Sequence, residues 1–452
     1  MSISEFEGTA AEFLSAGICP MNCRYCYIPK NEKMKIIHAK IIKSIKSNEI
    51  FERLFNIYGE KLEYLGFWGT EPTLTLPLIT EKIPYIMKKF PNIKEFSYST
   101  NGLSDPSIII DFIKKVNKEK LEHEVTIENQ ISIDGPPWIT DYNRMEGAVE
   151  IILRNLYELI EMLNDINLQE NLKFELQFKP TIDVENMKEF MDDIFKVREF
   201  QKFFKEISDY VKEKNKNKNL IFEGCGAITL VVPGKYTSND GKIFAQFLNI
   251  WHNFGLSSYT SRLLRIINFM DEMYKKRMFT CSGGDGNFGV SENIHLCHRT
   301  FYMDEPEYVE SILMGESSIG ETENWDVSLY NRGIIDWINE KFIISPDDKD
   351  DIIRFLYVLR GHHDFWKFQI GYIRAALTEL VLCDQADKRL IEDEGIFELF
   401  ALFMLGCMDC PMENLLNTGS INTIPISLIR LWGNGAFIEV LKTVENISRR
   451  KQ

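Results

Sequence analysis

At 452 residues the chain exceeds the size at which one hydrophobic core usually divides, so a large domain with at least one appended module is expected. A hydrophobic content of 44% with 12% aromatics excludes a disordered protein. With 52 basic against 67 acidic residues, the net charge of −15 argues against a large phosphate-binding surface and against nucleic acid as a partner. The acidic N-terminus lacks the pattern of a signal peptide, and no apolar run reaches the length that crosses a bilayer. Nine cysteines at short, clustered spacings suit intracellular metal ligands better than a disulfide framework. The expectation is a soluble, cytoplasmic protein with no membrane partner.

Short apolar runs alternate with helix-patterned stretches from the start. A strand at 11–15 leads into Cys19, Cys23 and Cys26, spaced C-x3-C-x2-C, and a helical stretch follows at 36–58. A strand at 64–68 runs into Gly69, Thr70, Glu71 and Pro72, then a helix at 76–89. The strand at 95–99 closes on Ser99, Thr100, Asn101 and Gly102, before a helix at 106–116. The strand at 125–133 closes on Ser132, Asp134, Gly135 and Pro136, before a helix at 147–163. A fifth strand at 173–179, a helix from 186 to about 211, a charged and solvated loop at 212–218 and a sixth strand at 227–232 complete the series. This rhythm is that of βα repeats around a parallel sheet, open or closed into a partial barrel. Strand C-termini share one face of such a sheet, so the four polar, glycine-bearing loops converge there.

Three thiolates can hold three corners of a [4Fe–4S] cube and leave the fourth iron open to a ligand. A second set, Cys281, Cys297, Cys407 and Cys410, has the spacing of a closed iron–sulfur or zinc site. Around it, the pattern is helical at 334–405 and at 424–444, the latter broken by Gly433 and Gly435. Cys225 and Cys383 read as buried thiols rather than ligands. Adjacent His362 and His363 diverge by about 100° on a helix and read as surface or packing residues. His298 is placed to orient the second cysteine loop, Trp68 reads as core, and Gln177 is a candidate for the barrel interior.

The first cysteine loop, with Tyr25 before Cys26, resembles the C-x3-C-x-(aromatic)-C pattern of radical S-adenosylmethionine (radical SAM) enzymes. The resemblance covers roughly residues 9–235. It implies an α/β fold with a partial (β/α)6 barrel, in which the methionine amine and carboxylate of SAM chelate the open iron. Gly69, Thr70, Glu71 and Pro72 match the family's GGEP motif with Thr70 in place of the second glycine, and Glu71 becomes the partner of the methionine ammonium. Ser99 and Asn101 fall where the family binds ribose. The stretch from Ser132 through Asp134 to Arg144 resembles the peptide-modifying branch, where the serine and arginine hold the SAM carboxylate. Tyr25 and Asp134 complete the implied cofactor-binding set.

The implied organisation is a barrel core at 1–235, a helical linker at 236–280, a twitch-like auxiliary iron–sulfur module at 281–305 and 400–452, and a helical insertion at 306–399. The auxiliary module, related to SPASM, would carry one further cluster, of [4Fe–4S] type, on Cys281, Cys297, Cys407 and Cys410. The activity implied is reductive cleavage of SAM to a 5′-deoxyadenosyl radical that abstracts hydrogen from a peptide or protein, leading to a crosslink, thioether or side-chain oxidation. An electron donor such as flavodoxin or ferredoxin would be required. A twitch-type dehydrogenase of a small metabolite and a non-catalytic iron–sulfur or zinc protein are the alternatives. The short segment before Cys19 is expected to leave no room for an N-terminal peptide-recognition domain, which weakens the peptide reading without sinking it, because a leader could bind elsewhere or to a partner protein.

Overall fold

The computed structural model describes residues 8–26, 28, 30–182, 184–225, 229–230, 238–253, 288–291, 294–295, 343–344, 363–404, 426–439 and 441–442. Strands β1 (Ala10–Ala16), β2 (Tyr64–Gly69), β3 (Glu95–Thr100), β4 (Val125–Ile131) and β5 (Leu172–Phe178) pair in parallel in chain order. The short β6 (Thr181–Ile182) leaves the sheet, and β7 (Leu220–Cys225) joins β5, again in parallel. β8 (Thr229–Leu230) pairs with β6 in a separate two-stranded sheet. On the far side of β1 lies β9 (Phe288–Val290), parallel to it, and then the antiparallel β10 (Ile294–His295) and β11 (Ile343–Ile344). Strand order that follows the chain without reversal, with crossovers of one hand, stacks the helices on one face, as in a barrel rather than a doubly wound sheet.

Helices α1 (Glu32–Lys46), α2 (Glu49–Tyr58), α3 (Leu76–Lys89), α4 (Pro106–Asn117), α5 (Pro137–Asn143), α6 (Ala148–Asn164), α7 (Val184–Met191) and α8 (Ile194–Lys214) lie between these strands. Five of the six expected strands stand within two residues of their expected bounds. Two expected helices are each broken in two. Asn48 adopts a left-handed φ of 64° between α1 and α2, and Asp193 caps α8 through the N–H groups of Phe195 and Lys196.

The sixth barrel strand is a correction. It is β7, at Leu220–Cys225, whereas Thr229 and Leu230 of the expected strand at 227–232 pair with β6 instead. Nor is the preceding segment a purely solvated loop. Its alternating asparagines turn inward: Asn217 Nδ2 donates to Leu163 O at 2.8 Å, and Asn219 Nδ2 donates to Leu172 O at 2.6 Å. These bonds fix where β7 begins, so a less apolar run than the next one becomes the barrel strand.

The face under the helices is aromatic. Phe67, Phe96 and Phe112 meet with centroids 5.7–5.9 Å apart, and Phe13 bridges Phe67 and Phe51. Farther on, α9 (Ser238–Asn253) meets α7 through Phe190 and Phe247 and meets Trp432 through Phe244. Helices α10 (His363–Leu382), α11 (Arg389–Glu392), α12 (Glu394–Phe403) and α13 (Ile426–Leu431) follow, with Phe403 also against Trp432. The helical pattern at the tail breaks as expected, at Asn434 and Gly435, the latter with a φ of 100°. Cys383, expected to be buried, is exposed past the last residue of α10, where the chain turns through Asp384 with a φ of 56°.

The opposite face of the sheet is polar, because β3, β4 and β5 place polar residues at every second position. Ser97 Oγ donates to Glu128 at 2.5 Å, Ser99 Oγ donates to Gln130 at 3.0 Å, and Gln130 Nε2 donates to Glu128 at 3.0 Å. Gln177, on the expected face, also donates to Glu128. Burial, followed by the charges of Glu128 and Glu175, pushes the Glu95 carboxyl from 4.5 up to about 7. The folded state therefore holds this proton more tightly than the unfolded chain. The associated stability is present below pH 4.5 and is lost as pH rises through about 7. Glu95→Gln should raise stability at about pH 8 by on the order of 1 kcal/mol after solvent screening and give no gain at about pH 4, as measured by denaturant unfolding.

Candidate functional site: a three-cysteine loop at the strand C-termini

The cysteine loop leaves β1 through a tightly packed exit. The β1–β2 register shifts between Leu14 and Ala16, and Ser15 Oγ donates to Trp68 O at 2.7 Å. Gly69, with a φ of 144°, lies so close to β1 that a Cβ there would stand 2.2 Å from Ala16 O, so only glycine fits. Thr70 N donates to Ala16 O at 3.1 Å, and Thr70 Oγ1 donates to Ile18 O. From the other side, Gly17 N donates to His38 Nδ1 of α1 at 3.2 Å.

Beyond the exit, Cys26 N closes a turn onto Cys23 O at 3.1 Å, and Arg24 N donates to Asn143 O at 2.8 Å. The Arg24 guanidinium lies over the Tyr142 ring, 4.0 Å from its centroid. Tyr25 Oη donates to Asp134 Oδ2 at 2.7 Å. Cys19 and Cys23 are half-buried and Cys26 is exposed. Burial raises the thiols of Cys19 and Cys23 above their ordinary value; Asn101 and Lys30 oppose this at Cys19, and Arg144 at Cys23. Among the described residues, no group of three His, Cys, Asp or Glu side chains is placed to hold a metal ion.

Glu71 is 1% exposed, and four neutral donors surround it. Oε1 accepts from Thr73 N at 3.3 Å, Thr73 Oγ1 at 2.6 Å and Thr100 Oγ1 at 2.8 Å, while Oε2 accepts from Asn101 N at 2.7 Å. Burial nevertheless raises its carboxyl above the usual range. A buried carboxylate with neutral partners is stabilised by a cation, so the position suits an ammonium group. Pro72 opens the 3₁₀ turn that brings Thr73 back to Glu71.

Asn101, expected at a ribose, is engaged within the site: Nδ2 points at Cys19 Sγ at 3.6 Å, and Oδ1 accepts from Leu103 N at 2.9 Å. Ser99 lies on the polar face, bonded to Gln130. Ser132 is half-buried at the end of β4, its N–H donating to Thr100 O at 2.8 Å.

Asp134 gathers the rest. It is fully buried and accepts from Arg144 Nη2 at 2.7 Å and Nε at 3.1 Å, Tyr25 Oη at 2.7 Å, Thr181 N at 2.8 Å and Asn143 Nδ2 at 3.4 Å. Thr140 Oγ1 accepts from the N–H groups of Asp134 and Gly135, which holds the turn. Arg144 thus commits its Nε and one Nη2 N–H to Asp134.

Tyr25, Gly69, Thr70, Glu71, Pro72, Ser99, Asn101, Ser132, Asp134, Arg144 and the three cysteines therefore all lie on the loops or adjoining strand ends at one edge of the sheet. Cys281, Cys297, Cys407 and Cys410 lie outside the described residues, as do His298 and His362. Sequence reasoning missed His38, Thr73 and Thr140, which bond to backbone or to other side chains and carry no motif of their own.

No protein-family model matches the chain. The native structure of anSMEcpe with bound AdoMet aligns over 97% of this chain and 99% of that one, with a TM-score of 0.50 at 16% identity. The chain has the radical SAM fold. A GTP 3′,8-cyclase of Clostridium acetobutylicum is 25% identical over 178 residues, 35% of this chain. The chain spans about half, 52%, of that relative's length. A shorter stretch of 130 residues, 27% of this chain, is 31% identical to the regulatory chain of aspartate carbamoyltransferase of Clostridium botulinum, over 84% of that protein. It is too short to contain a sheet whose strands run from Ala10 to Cys225, so it does not account for the radical SAM core.

Removing one member of a buried, hydrogen-bonded ion pair leaves an uncompensated charge. Asp134→Ala and Arg144→Ala should each cost about 3–5 kcal/mol in denaturant unfolding, against about 1 kcal/mol for Tyr25→Phe.

Proposed function

We propose that the chain is a radical SAM enzyme acting on a peptide or protein, with Cys19, Cys23 and Cys26 as ligands of a [4Fe–4S] cluster that leaves one iron for SAM. The carrying observation is the convergence of the three-cysteine loop, the buried Glu71 and the Asp134–Arg144 pair at the C-terminal edge of one parallel sheet. When bound, the cluster and SAM supply the electron and the radical that takes hydrogen from the substrate. The residues of the chain bind and orient. Glu71 receives the methionine ammonium, Arg144 and Ser132 receive its carboxylate, and Ser99 and Asn101 lie toward the ribose. Gly69, which has no Cβ, allows the exits of β1 and β2 to approach closely.

The peptide reading rests on the stretch from Ser132 to Arg144, which resembles the peptide-modifying branch. The small-metabolite reading has one observation of its own: the relative that acts on GTP by name, over 178 residues. The auxiliary module at 281–305 and 400–452, its cluster on Cys281, Cys297, Cys407 and Cys410, the insertion at 306–399 and a flavodoxin or ferredoxin as electron donor belong to the same proposal.

Anaerobic reconstitution followed by SAM and dithionite tests it. The wild-type protein should form 5′-deoxyadenosine, and the triple variant Cys19→Ala, Cys23→Ala, Cys26→Ala should form none. Zinc in the isolated protein with no 5′-deoxyadenosine would reject the enzyme. A Cys407→Ala, Cys410→Ala variant should lose about four iron atoms per chain while retaining SAM cleavage. Equal iron content in the two proteins would remove the auxiliary cluster from the assignment.

A further inference from the structure

The exit of β1 holds a side chain whose work is on the cysteine loop itself. Thr70 spans Gly17 with two bonds: its N–H reaches Ala16 O at 3.1 Å, and its hydroxyl reaches Ile18 O, the residue before Cys19. Gly17 has no room to move away. A Cβ on it would stand 2.9 Å from Met34 O, and its N–H is already held by His38 Nδ1 at 3.2 Å. Ser15 is tied in both directions, donating to Trp68 O at 2.7 Å and accepting from Thr75 Oγ1 at 2.9 Å. Residues 15–17 are thus bound on both flanks, by the exit of β2 and by α1. Among these bonds, the Thr70 hydroxyl is the one made beyond Gly17, on the carbonyl next to the first cysteine.

We infer that Thr70 is a positioning residue for the cysteine loop, acting through Ile18 O to hold Cys19 in place rather than by touching SAM. The inference rests on the cluster assignment proposed above. Its physical basis is simple. A loop that must present three thiolates at fixed separations loses less entropy on binding when its first ligand is already oriented. A backbone carbonyl bonded by a hydroxyl fixes the peptide plane that precedes that ligand. Glycine at residue 70 could keep the N–H bond to Ala16 but could not make the second one.

The test compares Thr70→Val, which keeps the shape and removes the hydroxyl, with Thr70→Ser, which keeps the hydroxyl. In the reconstituted full-length protein, iron loss to a chelator should be roughly tenfold faster in Thr70→Val, the equivalent of one hydrogen bond, and close to wild type in Thr70→Ser. The electron paramagnetic resonance spectrum of the reduced cluster should shift in Thr70→Val and be restored in Thr70→Ser. In the protein without iron, amide hydrogen exchange across residues 18–21 should be faster in Thr70→Val alone, with the thermal midpoint unchanged in both variants. Exchange and iron loss at wild-type rates in Thr70→Val would overturn the inference, as would a Thr70→Ser protein that behaves like Thr70→Val. A wild-type protein that takes up no cluster would instead overturn the proposed function, and the exchange measurement would still decide whether Thr70 holds the loop.

Discussion

A single buried carboxylate carries the architecture of this site. Asp134 lies at the end of β4 with no exposed surface, where an unpaired charge would cost several kcal/mol. Its two oxygens are satisfied by donors from separate parts of the chain: Tyr25 in the cysteine loop, Asn143 and Arg144 around the end of α5, and the backbone of Thr181 at β6. Satisfying one charge therefore fixes three segments relative to the sheet. The cysteine loop has no regular secondary structure, and this contact ties its far end to the strand termini alongside the Arg24 N–H bond to Asn143 O.

The near end is held differently, by close packing and neutral hydrogen bonds. Gly69 lies against the β1 backbone, Thr70 and His38 take polar groups on either side of Gly17, and Thr75 reaches Ser15. Between the two anchors, Cys19 lies next to Asn101, whose backbone N–H bonds the enclosed Glu71. Helices cover the aromatic side of the sheet, while Ser97, Glu128, Gln130 and Gln177 make a bonded polar surface on the other. The result is a cluster of polar and thiol side chains held at one edge of a packed sheet, the kind of placement that a precisely positioned site requires.

Much of this was legible in the sequence because the signals are local. Alternation in β3, β4 and β5 follows from the two-residue period of a strand, and the cysteine spacing is a property of seven or eight consecutive residues. What was misread involves partners distant in the chain. The sixth strand was placed on the more apolar run at 227–232, but Asn217 and Asn219 bond to backbone near residues 163–172 and set the strand earlier. Asn48 and Asp193 each end a helix that apolar periodicity alone would continue. Cys383 read as buried because cysteines usually are, yet it falls where α10 has left the core.

By itself, the sequence determined the βα order, the placement of polar loops after strands and the spacing of three thiols in one of those loops, since each is written in contiguous residues. Tertiary structure alone decided how those side chains are used. The buried Asp134 takes one edge of the Arg144 guanidinium, and Asn101 turns its Nδ2 toward Cys19 Sγ. Thr70 reads as a variant position within a motif until its hydroxyl is seen on Ile18 O, 52 residues earlier in the chain. The physical reason is common to all three. A polar side chain takes whichever partner the folded chain brings within about 3 Å, and burial makes that choice costly to reverse.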